Sequence, residues 1–265
     1  MNCKNCNTSL LNHQKFCLEC GAKVIKNRLT LKNIFEDIND QFINIDNIFL
    51  KTFIHLFTKP ELVISGYING TRKQYISVIQ YFAISLTLVG IQLFLMNTFF
   101  KDALNMDALF GDSFKKLAEQ KDNPFSPSNF DYNQINNYQS LIYVLTVPFS
   151  ALSTWLAYVI VGDKQLNFTE HLVLNLYYSA QIIIVTSLLT IIFLCFGLDY
   201  MLITSCISII TFIYWFYVLK RVFNHSFLDT LARFMLAIIA LVVIFFGIII
   251  ICVIIGIIIT LIQKA

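Results

Sequence analysis

The chain has 265 residues, of which 57% are hydrophobic and only 13% are charged. A soluble domain has roughly 45–50% apolar and about 25% charged residues, so a soluble enzyme and a disordered chain both fit poorly. The formal net charge of +3 is too small for a nucleic-acid-binding surface, and we expect no nucleic-acid partner. The composition indicates an all-α polytopic membrane protein embedded in a lipid bilayer.

The first 22 residues contain two Cys-x-x-Cys knuckles that are ten residues apart. Four thiolates in this pattern suit tetrahedral Zn²⁺, and they close its coordination shell, which is typical of structural sites. The alternative is a redox dithiol pair, but two matched knuckles exceed what one redox motif needs. The pattern therefore predicts a small zinc ribbon over residues 1–22, with Zn²⁺ as a structural cofactor and four ligands: Cys3, Cys6, Cys17 and Cys20.

The residue after each knuckle needs a backbone conformation that lets amide groups face sulfur. Asn7 and Gly21 hold these two positions, and Gly and Asn are the residue types that best tolerate a left-handed backbone. Their placement supports the interpretation as a metal-binding module.

Between the ribbon and the first span lie a basic linker and an amphipathic segment. The linker covers residues 23–33, and residues 34–57 carry apolar side chains at helical spacing opposite an acidic face. Lys59-Pro60 is expected to end this helix, and residues 61–74 to form a connector. The helix can lie on the cytosolic leaflet or pack on the bundle; its acidic face disfavours anionic lipid and favours packing.

Five stretches are long and apolar enough to cross a bilayer core, which needs about 20 helical residues. The third and fourth are separated only near Gly197, so they predict a tight helical hairpin. An extracytoplasmic loop is expected over residues 101–139. Together the five stretches make a transmembrane bundle over residues 75–265, with spans near 75–100, 140–161, 172–198, 200–219 and 234–262.

Cysteine chemistry and the distribution of positive charge predict the orientation. A cysteine-rich metal site favours a reducing compartment, which puts the N-terminus in the cytosol. With that orientation the inner side carries 14 Lys and Arg residues and the outer side 5. Counting only residues near the membrane gives 7 against 5, in the same direction. An odd number of spans then places the C-terminus on the extracytoplasmic side of the cytoplasmic membrane.

Glu170 and His171 stand side by side at the start of the third span and invite a metal or acid–base interpretation. Asn167 with Glu170 three residues later also fits a capping box, and neighbouring helical residues point about 100° apart. Capping is therefore favoured, and Ser226 with Asp229 repeats the pattern before the fifth span.

The predicted spans lack interior charged residues of the kind that ion pumps use. Their polar side chains are amides and hydroxyls, which commonly hydrogen-bond between helices. They can also line a path for a solute. The amides available for that role, beside Ser and Thr, are Gln80, Gln92, Asn97, Asn175 and Gln181, and the three glutamines are the ones to change in a flux test.

Three parts of the chain resemble the uncharacterised bacterial membrane family called domain of unknown function 3667. They are the paired knuckles followed by the amphipathic helix and Lys59-Pro60, the segment Gly-Tyr-Ile-Asn-Gly-Thr-Arg-Lys-Gln-Tyr at 66–75, and Thr-Glu-His-Leu at 169–172. The resemblance implies an N-terminal zinc ribbon joined to several spans, and it brings no activity. If the shared residues serve more than folding, the cytosolic mouth of the bundle is the expected functional cluster, with Arg72, Glu170 and His171.

The leading hypothesis is a non-enzymatic membrane protein whose ribbon and amphipathic helix organise contacts at the cytosolic face. The partner would be another copy of the chain or a cytosolic protein. A passive channel or carrier for a small solute is the alternative. A membrane-embedded enzyme using Glu170 and His171 comes third, because the sequence has no phosphate-binding loop, nucleophile elbow or metalloprotease motif.

Overall fold

The computed structural model of the chain describes residues 2–11, 14–22, 24, 48–100, 138–198 and 200–264. The chain divides into two compact units, an N-terminal unit of residues 1–47 and a helical unit of residues 48–265. The predicted basic linker apart from residue 24, the amphipathic segment before residue 48 and the loop 101–137 lie outside the described residues.

The described part of the helical unit consists of helices joined by short turns, which confirms the predicted all-α class. In chain order the described helices are α1 (Ile48–Thr58), α2 (Pro60–Ile68), α3 (Val78–Phe99), α4 (Gln139–Ile160), α5 (Phe168–Cys195), α6 (Tyr200–Phe223) and α7 (Phe227–Lys264). Five of them, α3 to α7, are long and apolar enough to cross a membrane.

Polar caps and turns, rather than the ends of the apolar runs, set several helix boundaries. Helix α5 begins four residues before the predicted span because Asn167 caps it, and α7 begins near the Ser226 cap. At the other end of α5, Gly197 adopts a φ of +72°, and its N–H donates to the carbonyl of Leu194 at 2.9 Å. This glycine turn ends α5 just before α6 begins, as the predicted hairpin requires.

The segment after Lys59 differs from the prediction, because residues 60–68 form helix α2 instead of an irregular connector. Pro60 occupies the first helical position, where its fixed φ suits a helix start and its missing N–H costs nothing. The proline therefore separates two helices, and Val63 and Ile64 in the second are fully buried.

Helix α1 packs on the bundle through its last turn. Pro60 has no N–H for the carbonyl of Leu56 four residues earlier, and the hydroxyl of Tyr214 in α6 donates to that carbonyl at 2.9 Å. The hydroxyl of Tyr217 donates to the carbonyl of Thr58 at 3.2 Å. Side chains of α6 thus satisfy backbone groups that the break at Lys59 leaves without helical partners.

Candidate functional site

The two cysteine knuckles of the N-terminal unit have the same backbone arrangement. In the first, the N–H of Asn7 donates to the carbonyl of Cys3 at 2.9 Å; in the second, the N–H of Gly21 donates to the carbonyl of Cys17 at 2.9 Å. Asn7 has a φ of 60° and Gly21 a φ of 70°, which confirms the predicted left-handed positions. Each knuckle is therefore a tight turn that presents two sulfur atoms on one side.

The four sulfur atoms converge on one point. The Sγ atoms of Cys3 and Cys20 are 3.6 Å apart, as are those of Cys6 and Cys17, and all four lie within 4.8 Å of one another. A tetrahedral ion with metal–sulfur distances of about 2.3 Å separates its sulfur ligands by about 3.8 Å. The spacing therefore fits a set of four ligands that can hold one metal ion.

The surroundings of Cys20 favour its thiolate, which is the form that binds a metal. A hydrogen bond from the Asn5 side chain, followed by one from the backbone of Ala22, lowers the pKa of the Cys20 thiol to about 6. Hydrogen bonds of this kind stabilise the charged sulfur without a neighbouring cation.

The described residues of the N-terminal unit include few buried apolar side chains. Its core consists of Leu10 with the buried Cys3 and Cys17, packed against Ala22 and Val24. Other large apolar side chains of the unit face outward: Leu11 is 60% exposed, Phe16 51% and Leu18 85%. So small a core gives little stability by itself.

The structure places Arg72, Glu170 and His171 in three different settings. The Arg72 guanidinium lies over the Tyr67 ring, 3.8 Å from its centre, next to helix α2. Glu170 is part of the predicted capping box: its carboxylate accepts the N–H of Asn167 at 2.7 Å, and its own N–H donates to the Asn167 side chain at 3.0 Å. Glu170 therefore caps a helix, as the sequence favoured.

His171 is only 1% exposed and belongs to a polar chain between α4 and α5. Its Nδ1 lies 3.2 Å from the Thr154 hydroxyl, which also accepts a hydrogen bond from the Asn175 amide at 2.9 Å. Ser150 donates to the Asn175 carbonyl oxygen at 2.8 Å. These hydrogen bonds satisfy polar groups inside the bundle. The contacts of His171 are therefore those of a residue that packs between two helices.

A charged cluster that the sequence did not predict joins the α4–α5 turn to α7. The Asp163 carboxylate lies 2.7 Å from His225 Nε2 and 3.6 Å from Arg233 Nε. The Asp163 side chain is only 7% exposed. Each of these residues stands beside a predicted span, but their meeting depends on how distant helices pack, and no sequence spacing signals it.

The three glutamines considered as pore-lining residues have different roles. Gln181 accepts the Tyr81 hydroxyl and donates to the carbonyl of Phe53 at 3.2 Å, so it fixes α1 to the bundle. Gln80 belongs to the start of α3, where its N–H donates to Ser77 Oγ at 3.4 Å. Gln92 lines a cavity of about 270 Å³ between α3, α4, α5 and α6.

Comparison with protein families gives a match for one segment of the chain. The model of a family described as "Protein of unknown function (DUF3667)" matches residues 46–90, which contain α1, α2 and the first half of α3. The match confirms the predicted resemblance over this segment. Comparison with curated proteins and with solved structures gave no match.

Proposed function

We propose, taking the match to the DUF3667 family as the premise, that this integral membrane protein is a non-enzymatic scaffold with a zinc-folded docking module in the cytosol. The observation that carries the proposal is the exposure of Leu18, at 85%, on a knuckle whose fold depends on the metal site. Large apolar side chains exposed on so small a unit mark it as a surface for another protein.

Zinc is the metal that best suits this site. Four thiolates make a soft, tetrahedral ligand set, which favours Zn²⁺ over the hard cations that prefer oxygen ligands. Cys3, Cys6, Cys17 and Cys20 would hold the ion and leave no open position for a substrate. Binding would supply the folding energy, on the order of 10–16 kcal/mol in zinc-finger peptides.

Cysteine chemistry and the distribution of positive charge support an orientation of the chain in the membrane. Thiol ligands persist in the reducing cytosol, and the inner side carries most of the Lys and Arg residues. The module would therefore face the cytosol, and the C-terminus would lie outside the cytoplasmic membrane.

Site-specific photocrosslinking in cells tests the docking function. A benzophenone amino acid replaces Leu18 in one variant and the neighbouring Glu19 in another; both side chains are exposed, but only Leu18 is apolar. We expect the probe at position 18 to give a discrete adduct, because the apolar surface lies in the interface. The mass of the adduct separates a second copy of this chain from a soluble protein.

Two controls make the result interpretable. Cys17→Ser in the same background should abolish the adduct, because it removes a metal ligand and unfolds the module. Leu18→Ser, in a protein without the photoprobe, should keep the bound metal and lose the co-purifying partner. Equal crosslinking from positions 18 and 19, or an adduct that survives Cys17→Ser, contradicts the docking function.

A passive carrier is the second candidate, and the cavity beside Gln92 is the observation that favours it. Two of the three predicted lining glutamines serve other roles, since Gln181 binds α1 and Gln80 lies at the start of α3. Liposome flux through the purified protein tests this candidate. Flux equal to that of empty liposomes would exclude it.

A further inference from the structure

The cavity between α3, α4, α5 and α6 is large enough to hold a small molecule. Its volume is about 270 Å³. An apolar cavity of roughly 150 Å³ can already hold benzene. This cavity differs in chemistry, because nine of the twelve described residues that line it carry an amide or hydroxyl group, although most of the exposed wall surface is apolar.

Two polar stripes face each other across the cavity. Thr186 and Thr190 lie four residues apart on α5, and Thr204 and Ser208 lie four residues apart on α6. Residues at this spacing share one face of a helix. Each helix thus turns a polar stripe toward the cavity while its other faces pack on neighbours or face the membrane.

Two of these hydroxyl groups use their one proton within their own helix. Thr186 donates to the carbonyl of Ile183 at 3.2 Å, and Ser208 donates to the carbonyl of Thr204 at 2.8 Å. A hydroxyl that has donated its proton still has lone pairs to accept with. These side chains therefore offer acceptors to a bound molecule.

One glutamine adds a further acceptor. Gln139 donates to the Tyr143 hydroxyl at 3.1 Å, while its Oε1 is buried and accepts no hydrogen bond from the described residues. A buried acceptor left without a donor costs about 1–3 kcal/mol, which a ligand with donor groups would recover.

Charge restricts the ligand further. Among the described residues that line the cavity there is no Asp, Glu, Lys, Arg or His. An ion in such a site would lose its hydration without a partner of opposite charge. We propose that the cavity is a binding site for a small uncharged molecule that donates hydrogen bonds through hydroxyl or amide groups, with about ten non-hydrogen atoms at most. This inference is independent of the proposed docking function.

The proposal is tested on full-length protein purified without glycerol, with glycerol and urea as probes. Ser208→Cys places a thiol in the cavity, and Thr87→Cys is the matched control. Thr87 is exposed on α3 outside the cavity wall, and its hydroxyl also donates within its own helix, to Ala83 at 3.0 Å. Labelling by neutral methyl methanethiosulfonate is followed by peptide mass spectrometry, which separates each introduced cysteine from the native ones.

We expect glycerol or urea to slow labelling at position 208 and to leave position 87 unchanged. At ten times the dissociation constant, labelling should fall about tenfold, because only the unoccupied site reacts. Choline and glycerol phosphate, which carry a charge, should give no protection. Unchanged labelling with both neutral probes overturns the site, and equal protection by charged probes overturns the proposed ligand class.

If the Ser208→Cys variant does not fold, a second measurement tests the proposal on the unaltered protein. Magnetisation transfer from the unaltered protein to glycerol, observed by NMR, should report binding directly. Thr190→Val removes a cavity hydroxyl at constant shape and should weaken the signal, while Thr87→Val should not. Equal signals from the unaltered protein and both variants overturn the proposal.

Discussion

The contact between Tyr214 and helix α1 leads to a quantitative prediction. Tyr214→Phe keeps the ring, which stacks on Tyr178 with ring centres 5.9 Å apart, and removes only the hydroxyl. The carbonyl of the fully buried Leu56 then has no donor, because Pro60 at the fourth following position has no N–H. A buried acceptor without a partner costs about 1–3 kcal/mol.

For a chain of this size that loss lowers the melting temperature by roughly 2–12 °C, at about 2–4 °C per kcal/mol. Fluorescence-detected size-exclusion chromatography after heating measures the shift in detergent. Tyr217→Phe is the matched control, because the Tyr217 hydroxyl bonds to Thr58 in an exposed position where water can replace it. Its melting temperature should change by no more than about 1–2 °C. A Tyr214→Phe protein as stable as the original, or equal losses in both variants, would refute the role given to this hydroxyl.

Three further predictions use the same assay. Asp163→Asn should cost about 3 kcal/mol, because it leaves the Arg233 guanidinium and the His225 ring facing a neutral amide in a nearly buried cluster; a loss below 1 kcal/mol would contradict that role. Glu61→Gln should cost less than about 1 kcal/mol, because Glu61 forms an ion pair with Arg221, whose side chain is 42% exposed to solvent; a larger loss would contradict solvent screening of this pair. Gly197→Ala should destabilise by about 1–2 kcal/mol because its φ is +72°, whereas Gly90→Ala, in open space, should be neutral or stabilising; equal effects would refute the glycine turn.

Local patterns in the sequence predicted much of the helical unit. Long apolar runs identify the five helices because a bilayer core demands about 20 such residues. The box between Asn167 and Glu170, and the turn at Gly197, depend on residues within a few positions of each other. Asn7 and Gly21 were predictable for the same reason, since each knuckle is formed by neighbouring residues.

Features that depend on packing between distant segments could not be predicted. Helix α2 lies in the segment expected to be a connector, because Pro60 was interpreted only as a helix stop, although the same residue is well suited to start a helix. Asp163 and His225 are 62 positions apart, and their contact requires the final arrangement of α4 and α7. Gln181 illustrates the same limit, because an amide in a span can face a cavity or a neighbouring helix, and only packing decides which.

Metal analysis of the purified full-length protein, combined with X-ray absorption at the zinc edge, tests the central claim most directly. We expect one zinc ion per chain, with four sulfur atoms at about 2.3 Å, and loss of the ion in Cys17→Ser while the helical unit stays folded. Protein that contains no zinc when prepared without chelators, or zinc bound through nitrogen or oxygen, would contradict it.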